Sequence, residues 1–80
     1  MNKVNTMIKV LRTEKGMNQE QLAEKLQVTR QAVSNWETGK TQPDIETLTR
    51  MAEVFGVSVE KLIYGKDYNK ESGEIKRTWT

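Results

Sequence analysis

Eighty residues, 35% of them hydrophobic and 30% charged, make one compact domain with an economical core and no room for a second domain or a large substrate cavity. The chain has neither Cys nor His, which excludes disulfides, thiolate or imidazole metal sites and every Ser-His or Cys-His dyad, so no enzyme, metal or cofactor is expected. Thirteen basic against eleven acidic residues leave a net charge of +2, too little to argue for nucleic acid, and the short apolar runs predict a soluble, cytoplasmic protein without a membrane span or signal peptide.

Val4, Met7, Ile8 and Leu11 stand at the i, i+3, i+4, i+7 spacing of an apolar helical stripe, and Gly16 should stop that first helix. Asn18 predicts the cap of a second helix, with Gln21 completing a capping box and Leu22, Ala23 and Leu26 on its buried side. After Gln27 and Val28, Thr29 caps a third helix from Arg30 to Thr38, which Gly39 terminates. Lys40 to Pro43 reads as a loop, and Asp44 as the cap of a fourth helix with Ile45, Leu48, Ala52 and Phe55 on its inner face. Ser58 caps a short fifth helix carrying Val59, Leu62 and Ile63, closed by Gly65. The fold expected is all-α, a five-helix bundle spanning 1–65, followed by a polar tail at 66–80.

The second and third helices are joined by a turn too tight for an antiparallel hairpin, so they must cross steeply, and Ala23 supplies the small residue such a crossing needs. This is a helix-turn-helix pattern. At about 100° per residue, Ala32, Trp36 and Val33 lie roughly 200°, 240° and 300° round from Arg30, leaving Arg30, Gln31, Ser34, Asn35 and Thr38 on the opposite arc. That arc has no Lys and no acid, whereas a merely solvated face is normally furnished with Glu and Lys. Arg bonds O6 and N7 of guanine, and Gln or Asn bonds N6 and N7 of adenine, all within a major groove wide enough for a helix. Short polar helices also occur in ordinary bundles, and the tight turn weighs the balance towards base reading. Trp36 beside Val33 belongs to the core rather than to a base stack, and Met7, Met17 and Met51 read as gap fillers. The start of the second helix, at Gln19, is suited to a phosphate, and Lys40 and Thr41 suit the opposite flank of a groove.

The segment from Asn18 to Pro43, NQEQLAEKLQVTRQAVSNWETGKTQP, resembles the helix-turn-helix core of the Cro and phage-repressor (XRE-type) family of bacterial transcription regulators. The likeness extends from Met7 to Ile63. It implies a DNA-binding domain whose third helix enters the major groove, with a homodimer on an operator of double-stranded DNA. By the same resemblance, Arg30, Gln31 and Asn35 contact bases, Gln19 contacts the backbone or buttresses the recognition helix, and Thr29, Ser34, Lys40, Thr41 and Gln42 reach phosphates. Gln27 departs from the pattern, since the family often has Gly at that left-handed junction, at a cost of roughly 1 kcal/mol. Arg12 and Glu37 are either two solvated charges or a partly buried ion pair, and the resemblance favours the pair.

Two copies on a pseudo-palindromic site would engage major grooves about 34 Å apart, with the fifth helix and the tail as the candidate dimer contact. In the tail, Ile75, Arg77 and Trp79 alternate with Lys76 and Thr78, which leaves open a small strand as well as disorder. The expected activity is repression by operator occupancy; the alternative is an antitoxin or protein-binding helical module acting through a partner protein not identifiable from the sequence.

Overall fold

The computed structural model describes residues 3–66, so the expected tail beyond Lys66, with its candidate strand, lies outside the described residues. Five α-helices follow one another: α1 (Val4–Glu14), α2 (Gln19–Leu26), α3 (Arg30–Thr38), α4 (Ile45–Phe55) and α5 (Val59–Tyr64). The caps are those the sequence predicts. Asn18 Oδ1 accepts from the Gln21 N–H at 2.7 Å while Gln21 Oε1 accepts from the Asn18 N–H at 2.8 Å, a complete capping box. Thr29, Asp44 and Ser58 each accept a bond from the backbone N–H three residues on, opening α3, α4 and α5. The start of α1 has no side-chain cap, and the Lys3 N–H is tied instead to the Ile63 carbonyl of α5 at 2.6 Å.

Every helix contributes to one core. Ile8 of α1, Leu22 and Leu26 of α2, Val33 of α3, Met51 and Phe55 of α4 and Leu62 of α5 are all fully buried. Around them α2 packs on α3, α1 on α3 and α5, and α4 on α2 and α5, so α3 is held from behind by two helices and keeps its outer arc uncovered.

Two details of α4 and the turn after α2 refine the sequence reading. Ile45 was expected on the inner face of α4, but it is 69% exposed, and Met51 (0%) takes the central position instead. The reason is angular: Thr47, Leu48, Met51, Ala52 and Phe55 face inwards on an arc centred near Met51 and Phe55, and at about 100° per residue Ile45 falls at the edge of that arc. At the turn after α2, Gln27 has φ 59° and ψ 44°, the left-handed conformation. Its N–H and that of Val28 return to carbonyls of α2, the Val28 bond to Ala23 being 3.0 Å, which satisfies the helix end and sets the angle at which α3 departs.

Candidate nucleic-acid interface

Helix α3 is assembled from both ends. Thr29 Oγ1 accepts from the Ala32 N–H at 3.1 Å, which leaves the hydroxyl proton of Thr29 for a partner outside. At the far end Gly39 adopts φ 82°, a conformation that costs glycine little, and the chain turns back on Asn35. The Asn35 carbonyl accepts the N–H groups of Lys40 at 2.9 Å and Thr41 at 3.4 Å. The loop that carries Lys40, Thr41 and Gln42 is therefore suspended from α3 itself, with these three exposed and Pro43 buried as its anchor.

Behind α3 runs a relay of charged and amide groups. Arg12 of α1 donates to Glu37 twice, Nε to Oε2 at 2.6 Å and Nη2 to Oε1 at 3.2 Å, and its Nη1 caps the Met17 carbonyl at 2.7 Å. The two side chains are only 10% and 4% exposed. Glu37 Oε1 also accepts from Gln19 Nε2 at 3.1 Å, and Gln19 Oε1 accepts from Arg30 Nη1 at 3.4 Å. These partners settle the orientation of the Gln19 amide, because an ionised carboxylate only accepts and a guanidinium only donates. Arg12 thus draws the single acid of α3 inwards, away from the outer arc, and Glu37 in turn sets the amide that faces Arg30.

The outer arc carries a second association. Gln31 Nε2 donates to Asn35 Oδ1 at 3.1 Å, one turn along the helix. Arg30, Gln31 and Thr38 are exposed, and Ser34 and Asn35 are half-buried. Thr38 Oγ1 is turned back to its own helix, donating to the Ser34 carbonyl at 3.0 Å, so it offers the outside less than its place on the arc suggests. Val33 and Trp36 point into the core, and Ala23 of α2 is buried at the crossing of the two helices.

The sequence reading placed the arc but missed two contacts: the bond from Gln19 to Glu37, and the Asn35 carbonyl as the peg of the following loop. Neither has a periodic signal. Residues 19 and 37 meet only because α2 and α3 cross, and the loop bonds use backbone atoms common to every residue type. The Asp44 carboxyl at the start of α4 is held below its ordinary pKa by hydrogen bonding from Thr47, first through the side chain and then through the backbone N–H. It caps a helix and lies apart from the arc in sequence.

Comparison with known proteins agrees with this geometry. Residues 8–62 match the family model for a helix-turn-helix. The HTH-type transcriptional activator BcrR of Enterococcus faecalis is 43% identical over 63 residues, which cover 79% of this chain and 31% of BcrR. Among solved structures, the N-terminal DNA-binding domain of SinR from Bacillus subtilis is 35% identical with a TM-score of 0.69, covering 74% of this chain and 87% of that one. A transcriptional regulator from Listeria innocua is 27% identical with a TM-score of 0.77, covering 100% of this chain and 79% of that one. The chain spans less than two thirds of curated relatives such as BcrR and the prophage-derived regulator YonR of Bacillus subtilis, 31% and 63% of their lengths. A left-handed turn between two packed helices, an acid turned inwards and a match over residues 8–62 have one common explanation: the chain belongs to the helix-turn-helix family of the Cro and phage-repressor (XRE) type.

Proposed function

We propose that this protein is a sequence-specific DNA-binding transcriptional regulator that acts in the cytoplasm as a homodimer and represses by occupying an operator. The observation that carries the reading is the outer arc of α3, where Arg30, Gln31, Ser34 and Asn35 stand without a lysine or an acid among them. These groups match the donor and acceptor pattern of base edges in the major groove. Residues 1–65 form the binding unit, and 66–80 an appended segment. In this reading Arg30, Gln31 and Asn35 read bases, Gln19 contacts the DNA backbone or buttresses α3 through Glu37 and Arg30, and Thr29, Ser34, Lys40, Thr41 and Gln42 fix register on the phosphates. The binding of DNA by the SinR domain supports the same assignment. The role is recognition without catalysis.

BcrR is described as an activator, which favours activation as the second reading for the direction of control. A promoter reporter with the selected site placed over or upstream of the start separates the two.

Selection of duplexes from a random library at about 150 mM salt tests the function, since specific binding survives there while the non-specific component weakens. A pseudo-palindrome with half-sites about one helical turn apart is the expected product. On that site Arg30→Ala is expected to cost about 1 to 3 kcal/mol and relax one base position, whereas Lys40→Ala weakens all sequences alike. A folded protein that enriches nothing would point instead to a helical module working through a protein partner, as an antitoxin does.

A further inference from the structure

Glu37 is the one carboxylate of α3, and its side chain is only 4% exposed. Its Oε1 accepts from two other helices, from Arg12 Nη2 of α1 at 3.2 Å and from Gln19 Nε2 of α2 at 3.1 Å. The same guanidinium donates through Nη1 to the carbonyl of Met17, the residue before the α2 cap, at 2.7 Å. The ion pair therefore joins the last turn of α1, the start of α2 and the last turn of α3 at one point. From there a single amide leads outwards, since Gln19 Oε1 accepts from Arg30 Nη1 at 3.4 Å. While Glu37 holds that amide, its oxygen and nitrogen cannot exchange places: the exchanged form would set oxygen against a carboxylate and nitrogen against a guanidinium.

Arg30 is exposed, and a long exposed side chain is free to sample many rotamers unless a neighbour restricts it. It gives one N–H to Gln19 and keeps the others, enough for two bonds to one base edge. We propose that Arg12 and Glu37 are positioning residues for DNA recognition: through Gln19 they restrict the Arg30 guanidinium before DNA arrives, so that discrimination at the base pair facing Arg30 depends on an ion pair buried behind α3. The inference rests on the DNA-binding reading above and adds to it a dependence of specificity on α1. Restriction in the free protein lowers the freedom that Arg30 loses on binding, and a guanidinium held in one direction cannot follow a wrong edge. An ion pair that served only as scaffold would contribute stability and leave discrimination untouched.

The test uses the full chain and separates positioning from stability. Arg12→Met with Glu37→Leu replaces both charges by apolar groups, an exchange that keeps the fold stable while Gln19 loses its acceptor. Gln19→Met cuts the relay further out and leaves the ion pair in place, so it carries the test even where the double variant unfolds. Sites are selected with the wild-type chain from a random duplex library, and the position that Arg30→Ala relaxes marks the base pair facing Arg30. Affinities for every base pair at that position are measured for wild type, the double variant, Gln19→Met, Arg30→Ala and the double variant combined with Arg30→Ala, with urea unfolding as the check on folding. The double variant and Gln19→Met are each expected to lose roughly 3- to 10-fold in discrimination at that position. In the Arg30→Ala background the double variant adds nothing, because the relay ends on that residue. A folded double variant that discriminates as wild type does, a Gln19→Met protein that weakens all sequences alike, or losses spread over every position of the site overturn the relay and leave the DNA-binding function standing. A wild-type chain that enriches no sequence overturns the function and the relay together.

Discussion

Helices α2 and α3 are close to equal as pieces of structure and opposite as surfaces. They have 8 and 9 residues, each opens on a polar side-chain cap, and each closes on a left-handed residue, Gln27 in one and Gly39 in the other. Both bury an apolar side, Leu22, Ala23 and Leu26 against Val33 and Trp36. Their exposed sides differ. Glu20, Gln21, Glu24 and Lys25 make α2 an ordinary solvated face, while α3 exposes a guanidinium, amides and hydroxyls, and its one acid is folded back onto Arg12. Burial and capping therefore explain why both segments are helices, and only the uncovered side distinguishes α2 from the helix proposed to read DNA.

The largest expected effect comes from breaking the contact that keeps α3 free of acid. Glu37→Ala leaves the Arg12 guanidinium without its partner in a nearly buried site, and Arg12→Ala does the converse, each costing about 3 to 5 kcal/mol in urea unfolding. The double variant Arg12→Met with Glu37→Leu removes both charges and is expected to recover most of that loss. Double-variant stability as low as that of the single variants would show that the pair is not the origin of the cost.

Next come the N-caps, which test whether the two helices are equivalent as structure. Asn18→Ala breaks both arms of the capping box and is expected to cost about 1 to 2 kcal/mol; Thr29→Ala breaks one bond and should cost about 1 kcal/mol. Thermal melts of the two variants measure the difference, and equal losses would mean that the reciprocal Gln21 bond contributes nothing. The C-caps should move in opposite directions. Gly39→Ala places a Cβ at φ 82° and is expected to destabilise by about 1 kcal/mol, while Gln27→Gly relieves a left-handed side chain and should stabilise by about 0.5 kcal/mol. The added Cβ at Gly39 would meet Asn5 Nδ2 at 3.7 Å, an ordinary contact, so the loss would be conformational rather than steric.

The smallest effect is that of acid. Asn18 and Thr29 are neutral caps, so α2 and α3 keep theirs at any pH, whereas α4 is capped by the ionised Asp44. Its folded pKa lies below its unfolded one because of the Thr47 hydrogen bonds. The stabilisation is therefore complete above the ordinary aspartate range, near pH 4, and is lost as pH falls through the lower folded value. Asp44→Asn should flatten that part of the stability–pH curve, and an unchanged curve would remove Asp44 as its source.

The order and type of the five helices, their caps and the composition of the α3 arc were legible in the sequence, because each depends on residues within about one turn of one another. Apolar spacing places a stripe, and a cap bonds an N–H three residues away. The left-handed turn at Gln27 was legible too, through the resemblance. What lay beyond local rules was which side of an element the rest of the molecule covers. Ile45 satisfies the same spacing as Leu48 and Ala52, yet it lies at the edge of the arc that the neighbouring helices cover, and Met51 fills the centre in its place.

By itself, then, the sequence determined the helices, the tight α2–α3 junction and an outer arc of α3 without acids, since these follow from backbone propensity and the 3.6-residue repeat. The resemblance had already favoured the pairing of Arg12 with Glu37, 25 residues away; the tertiary structure alone decided that Glu37 also bonds Gln19, 18 residues away, and that the Gln19 amide turns its oxygen to Arg30. The physical reason is that a hydrogen bond needs its partners within about 3 Å in a fixed orientation, and for residues so far apart in the chain only the packing of α1, α2 and α3 on a common core sets that distance.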